Sequence, residues 1–104
     1  GLNTLKLTDI IHIQTEKKLL NLHTIHGDVQ SSQRMSELEK RLSKKQFYRC
    51  HNSYMVNFDY VEGVKQDSVL IQYKDQKLKS IPVSKYKKEE FMRALALYVG
   101  KWEN

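Results

Sequence analysis

Residues 47–59, FYRCHNSYMVNFD, place a polar cluster in the middle of an otherwise apolar stretch. The two ends are rich in aromatic and β-branched residues, which favour β-strands. The centre holds four side chains that can bond a phosphate or the edge of a base: Arg49, His51, Asn52 and Ser53. A strand explains the apolar ends but not this centre. The stretch therefore predicts a loop tip that is anchored by apolar flanks.

The composition indicates one basic domain. The chain has 104 residues, of which 39% are hydrophobic, and this is enough for one modest core and so for a single domain over residues 1–104. Lys and Arg number 18 against 12 Asp and Glu, which gives a net charge of +6 at pH 7. Such a charge favours a polyanionic partner, either nucleic acid or an anionic membrane surface.

The absence of certain sequence features indicates the cellular compartment of the protein. No apolar run approaches the roughly 18 residues of a membrane-spanning helix, and no secretory signal is visible. Cys50 is the only cysteine, so an intrachain disulfide and a zinc site built on cysteines are excluded. We expect a cytoplasmic protein. The start at Gly1 suggests that the domain belongs to a longer protein.

Apolar alternation predicts a mainly β fold with two helices. Strands are expected at 5–7, 9–15, 19–25, 29–32, on either side of the tip at 47–59, at 61–64, 69–73 and 78–83, with turns at 16–18, 27–28, 66–68 and 75–76. Ser36 and Glu39 have the spacing of a capping box for a short helix over 37–43. Helical spacing returns from Glu89 to Gly100. Pro82 lacks an amide donor, which predicts a strand at a sheet edge.

An enzymatic role finds little support in the sequence. Cys50 and His51 could in principle form a nucleophile and base, but adjacent residues of a strand point to opposite faces. Cys50 is therefore expected to be a buried packing residue. The four histidines show no metal-ligand spacing, and the four glycines form no phosphate-binding loop. We expect no enzyme activity, no cofactor and no metal.

Three polar clusters remain, at residues 16–18, 49–53 and 84–88. Lys and Arg neutralise phosphates, Ser and His bond them, and an Asn amide can pair with adenine in the major groove. Any one basic turn is more often an ordinary solvated loop than a binding site. Function therefore depends on whether the clusters act together.

The order of two motifs resembles the LytTR domain, the DNA-binding output module of bacterial response regulators. The motifs are RCHNSYMVN at 49–57 and IPVSK at 81–85. DIIHIQTE at 9–16 and SELEKRL at 36–42 are similar to the early strand and the short helix of that family. RCHNS is most similar to the AgrA-like branch, in which quorum-sensing regulators are common. The resemblance implies an elongated arrangement of small antiparallel sheets (LytTR type), with one short central helix and a C-terminal helix.

The resemblance also implies a set of DNA contacts made by loops that enter successive major grooves. Base contacts are implied for Lys18, Asn52 and Lys85. Phosphate contacts are expected from Lys17, Arg49, His51, Ser53, Ser84 and Lys88. The family usually has Arg at the position of Lys85, and Lys offers a point charge where Arg grips guanine with two bonds, so softer specificity is expected there.

The implied partner is double-stranded DNA, with promoter direct repeats as the expected target. We expect a monomer in isolation, two copies on DNA, no membrane partner, and a receiver domain upstream in the full-length protein. The alternative is a single-stranded nucleic-acid or RNA-binding β module that stacks bases on Tyr48, Tyr54 and Tyr86. A third reading, a protein-interaction domain that uses the terminal helix, depends on whether Phe91 and Leu95 are exposed.

Overall fold

A computed structural model describes residues 5–72 and 77–101. Eight strands lie in these residues: β1 Ile10–Glu16, β2 Leu19–Thr24, β3 Gly27–Ser31, β4 Phe47–His51, β5 Tyr54–Asn57, β6 Val61–Lys65, β7 Ser68–Gln72 and β8 Leu78–Pro82. The helices are α1, Met35–Arg41, and α2, Lys88–Gly100. Short 3-10 turns occur at Leu7–Asp9, Phe58–Tyr60 and Lys85–Lys87. No helix within these ranges is long and apolar enough to cross a membrane.

The strands form two antiparallel sheets. The large sheet has the order β3-β2-β1-β5-β4, and the small sheet has the order β6-β7-β8. A mainly β fold with a short central helix and a terminal helix is therefore confirmed. One axis of the molecule, 36 Å, is longer than the other two, 28 and 26 Å.

The large sheet is covered on both faces. Ile13, Leu22 and Met55 pack with α1 on one face, together with Ile10, Leu20, Met35, Leu42 and Phe47. On the opposite face, Val56 and Cys50 pack with the small sheet and with Phe91 of α2. Composition predicted one core, whereas the described residues form two clusters that share the large sheet between them. The central strand β1 is consequently buried on both sides over Ile10–Gln14.

Several predicted boundaries were wrong. Glu16 and Ser68 were predicted in turns, but they end β1 and begin β7. Leu7–Asp9 is a 3-10 turn, so the first described strand begins at Ile10 and 5–7 is not a strand. The turn between β2 and β3 is at 25–26, and Gly27 already pairs with Thr24. The Thr24 hydroxyl accepts from the amide of His26 at 3.0 Å and donates to the carbonyl of Gly27 at 2.7 Å, which stabilises that earlier turn.

The predicted capping box was also wrong. The helix α1 starts at Met35, so Ser36 lies inside it, and Arg34 occupies the N-cap position without a side-chain cap bond. Burial of Met35 and Leu42 against the large sheet replaces the local capping interaction as the reason for the helix. Pro82 lies in the edge strand β8, as predicted. Tyr73 and the predicted turn at 75–76 fall outside the described residues.

Candidate nucleic-acid interface

Two consecutive lysines form the turn between β1 and β2. Glu16 pairs with Leu19, which leaves only Lys17 and Lys18 in the turn. Their φ angles are +49° and +70°, and both side chains are exposed. Two positive φ angles are typical of the type I′ hairpin turn, which usually takes Asn and Gly because a Cβ atom is disfavoured there. Lysine at both positions is thus a costly choice for folding, and it places two cations at the tip.

The β4–β5 turn is the predicted loop tip. His51 pairs with Tyr54, and Asn52 and Ser53 form the turn, with the side chain of Asn52 exposed. The Nδ1 atom of His51 accepts a hydrogen bond from the amide of Ser53 at 3.0 Å. This bond stabilises the backbone of the turn and fixes the ring of His51 beside it.

Hydrogen bonds from Arg49 stabilise the same turn. Its Nε and Nη2 atoms donate to the carbonyl of Asn52 at 3.2 and 2.8 Å, and Nη1 contacts Glu39 of α1 at 3.2 Å. The guanidinium has five N–H groups, so these three bonds leave capacity for a phosphate oxygen. Glu39, which the sequence indicated only as a capping residue, is therefore part of the support for the tip.

The segment that follows β8 is bonded to this hairpin. The amide of Ser84 donates to the carbonyl of Cys50 at 2.8 Å, and Nζ of Lys87 donates to the carbonyl of Arg49 at 3.1 Å. The hydroxyl of Tyr86 donates to Oδ1 of Asn52, also at 3.1 Å. Lys85 and Tyr86 are exposed, whereas Lys88 is half-buried at the start of α2.

The three turns therefore meet at one end of the molecule. The amide of Thr15 donates to the carbonyl of Ser53 at 3.0 Å, which joins the Lys17–Lys18 turn to the loop tip. Lys18, Arg49, Asn52 and Ser53 line one open groove, and Arg34 also lines it. Lys85 and Lys88 line a separate shallow depression with Met92 of α2. We call residues 17–18, 49–53 and 84–88 the candidate interface.

Cys50 lies beneath this surface and is not part of it. Its side chain is fully buried, and Sγ contacts the carbonyl of Pro82 at 3.6 Å. Burial raises the pKa of the Cys50 thiol to about 12, so the nucleophilic thiolate is scarce at neutral pH. Because His51 instead contacts Ser53 and the ring of Tyr54, no Cys–His pair forms. Among residues 5–72 and 77–101, no three His, Cys, Asp or Glu side chains are grouped to hold a metal ion.

Comparison with known proteins identifies the family. Residues 1–96 match the family described as the LytTr DNA-binding domain. The chain belongs to the LytTR family.

Relatives of this LytTR domain are transcriptional regulatory proteins. The Staphylococcus aureus protein LytR is 31% identical over 65 residues, which cover 62% of this chain and 26% of that protein. The Escherichia coli protein YpdB is 23% identical over 94 residues, or 88% of this chain and 38% of that protein. The chain thus spans about a quarter to two fifths of the relatives that it matches.

A solved LytTr DNA-binding domain from Bacillus cereus has the same fold. The two structures superpose with a TM-score of 0.75 at 19% identity, over 88% of this chain and 84% of the other. The residues of the candidate interface were predicted from the sequence, but two contacts that support them were not. Glu39 pairs with Arg49 across 10 positions, and Tyr86 contacts Asn52 across 34 positions, so no local spacing indicates either contact.

Proposed function

We propose that this LytTR domain binds double-stranded DNA in a sequence-specific manner, as the output domain of a two-component transcriptional regulator. It catalyses no reaction and uses no cofactor. Lys18, Asn52 and Lys85 contact bases. Phosphate contacts come from Lys17, Arg49, His51, Ser53, Ser84 and Lys88.

The observation that supports this proposal is the joining of three turns from distant parts of the chain. Hydrogen bonds from Thr15 to Ser53 and from Ser84 to Cys50 hold them at one end of the fold. A solvated loop needs no such connection, whereas a surface that reads DNA must present its side chains in fixed positions.

We infer that the loops of the candidate interface enter successive major grooves of the duplex. Lys18 and Asn52 flank one groove of the protein, while Lys85 lies in the neighbouring depression. We therefore infer that they read separate parts of the site.

The cellular setting extends the proposal. The relatives are named transcriptional regulatory proteins, and they are much longer than this chain. We propose that a receiver domain precedes the LytTR domain in a cytoplasmic regulator of quorum-sensing type. The isolated domain is then a monomer, and two copies occupy paired direct repeats in a promoter.

The two other readings have weaker support. A single-strand or RNA-binding module would stack bases on Tyr48, Tyr54 and Tyr86, yet the first two are half-buried against the core and only Tyr86 is exposed. An interaction domain would need Phe91 and Leu95, but Phe91 is fully buried and Leu95 packs against the same core.

Selection and competition test the proposal together. Duplexes that bind the domain are enriched from a random pool, and the recovered sequence is then competed against a scrambled duplex and against each of its single strands. We expect a shared sequence motif and preferential binding of the duplex. Tighter binding of the single strands would favour the alternative, and recovery of no motif would exclude sequence-specific recognition.

A further inference from the structure

Tyr86 is an exposed aromatic residue whose hydroxyl has a defined partner. Its side chain is 72% exposed, and the hydroxyl donates to Oδ1 of Asn52 at 3.1 Å. Burial therefore cannot explain the position of the ring. The contact with Asn52 links the segment after β8 to the loop tip.

An Asn side chain can present its amide in two orientations that exchange the oxygen and the nitrogen. Bidentate pairing with adenine requires the oxygen to accept from N6 and the nitrogen to donate to N7, in one fixed order. A hydroxyl that donates to Oδ1 favours one of the two orientations. The oxygen has a second lone pair, so it retains capacity to accept a hydrogen bond from a base.

The backbone on both sides of this contact is held in place. Arg49 donates twice to the carbonyl of Asn52, which fixes the turn. The bond from the amide of Ser84 to the carbonyl of Cys50 fixes the start of the segment that contains Tyr86. Hydrogen bonds therefore hold the backbone on both sides of the contact between the Tyr86 hydroxyl and Oδ1 of Asn52.

We propose that Tyr86 is a positioning residue that orients the amide of Asn52 for base recognition. The inference rests on the proposed function, because it assumes that Asn52 reads a base. Orienting the amide before binding reduces the ordering cost of complex formation. The benefit is realised only on the DNA sequence that Asn52 recognises, whereas a phosphate contact would act on every sequence.

The test is the variant Tyr86→Phe, which removes the hydroxyl and keeps the ring. Affinity is measured for the selected duplex and for a scrambled duplex at one salt concentration. One lost hydrogen bond predicts a loss of about threefold to tenfold on the selected duplex. No change is expected on the scrambled duplex. In an Asn52→Ala background, Tyr86→Phe should cause no further loss on either duplex.

Tyr60→Phe is the matched control. The hydroxyl of Tyr60 donates to the carbonyl of Thr8, also at 3.1 Å and also at the surface, outside the candidate interface. Its loss should leave DNA discrimination unchanged. Tyr86→Ala tests the ring separately, and a loss with Tyr86→Ala but not with Tyr86→Phe would assign the ring and overturn the proposal.

The remaining outcomes separate this inference from the proposed function. Equal losses of affinity on both duplexes with Tyr86→Phe would indicate that Tyr86 contacts the DNA phosphates, and would reject the positioning role. The proposed function would still stand if the wild-type protein preferred the selected duplex. An unchanged affinity for the selected duplex would reject it as well. A wild-type protein that bound both duplexes equally would overturn the proposed function and the inference with it.

Discussion

Cys50 and Asn52 are two positions apart, yet one is fully buried and the other exposed. The difference arises because β4 still alternates at Cys50, with this side chain toward the small sheet, whereas the chain turns at Asn52. At the scale of single residues, the end of the strand thus decides which side chain can contact a partner. The thiol of Cys50 is buried, and the side chain of Asn52 is exposed to solvent.

We expect Asn52→Ala to separate base recognition from backbone binding. Loss of a bidentate base contact should weaken binding to the selected duplex by about 1–3 kcal/mol and relax the preference at one base pair. Measurement of affinity on a panel of single-base variants of the site would reveal the relaxed position. An equal loss on selected and scrambled duplexes would contradict a base-reading role.

His12 predicts that stability depends on pH. It is fully buried in β1, stacked on His23 at 4.2 Å between ring centroids, and its Nε2 lies 2.9 Å from Oε1 of Gln14. Burial, together with the charges of His23 and Lys79, lowers the pKa of His12 from 6.5 to about 3, although the bond with Gln14 acts in the opposite direction. Below pH 6.5, His12 therefore binds a proton in the unfolded chain but stays neutral in the folded protein.

The contribution of His12 to stability should accordingly fall with acidification by about 1.4 kcal/mol for each pH unit below 6.5, until pH 3 is approached. Urea unfolding at pH 7.5, 6 and 5 measures this slope. His12→Gln should flatten it even if its overall stability is lower. His26→Gln should retain it, since His26 is exposed, and a wild-type slope in His12→Gln would contradict the assignment.

At the scale of single elements, the β1–β2 turn has a backbone conformation that its own residues disfavour. Both β1–β2 and β6–β7 are joined by two residues, Lys17–Lys18 and Gln66–Asp67. Among the described non-glycine residues, only the lysine pair has positive φ angles. Left-handed backbone disfavours residues with a Cβ atom by roughly 1–2 kcal/mol each. The lysines therefore fit a binding role better than a folding role.

The double variant Lys17→Asn/Lys18→Gly tests this trade-off. Asn-Gly suits a type I′ turn, so we expect the free energy of unfolding to rise by about 1–2 kcal/mol while affinity for DNA falls. Chemical denaturation and DNA titration measure the two effects. Asn-Gly introduced at Gln66–Asp67 should give no such stabilisation, and unchanged DNA affinity in the first variant would remove the Lys17–Lys18 turn from the interface.

At the scale of the whole molecule, charge and topology act together. The chain carries a net charge of +6, and the three basic turns lie at one end of the fold. Phosphate neutralisation by Lys and Arg releases counterions from DNA, so affinity depends steeply on salt. A uniform scatter of the same charges would give attraction without a common docking surface.

We expect the logarithm of the binding constant to fall with the logarithm of salt concentration with a slope of roughly −3 to −5. Lys88→Ala should reduce the size of this slope by about 1 and weaken all sequences to a similar extent. Lys6→Ala removes an exposed cation beyond the opposite end of β1, and it should leave the slope unchanged. Equal slopes for wild type and Lys88→Ala would exclude a phosphate contact there.

The sequence by itself determined the type of most elements and the residues of the loop tip. Alternation of apolar residues is a local property, so the strands around 47–59 and the edge strand with Pro82 were predictable. The two motifs at 49–57 and 81–85 also identified the family, to which the chain was then shown to belong. The prediction of a strand at 5–7 was wrong because a 3-10 turn begins at Leu7. The prediction of a capping box at Ser36 was wrong because α1 begins at the buried residue Met35.

Only the tertiary structure decided how the candidate interface is supported. The large sheet is covered on both faces because α1 and the small sheet bury its opposite sides, and composition alone cannot reveal two such clusters. Contacts such as Tyr86 with Asn52 join residues far apart in the chain, and periodicity contains no information about them. Packing of the two sheets brings these residues together and turns three ordinary basic loops into one surface.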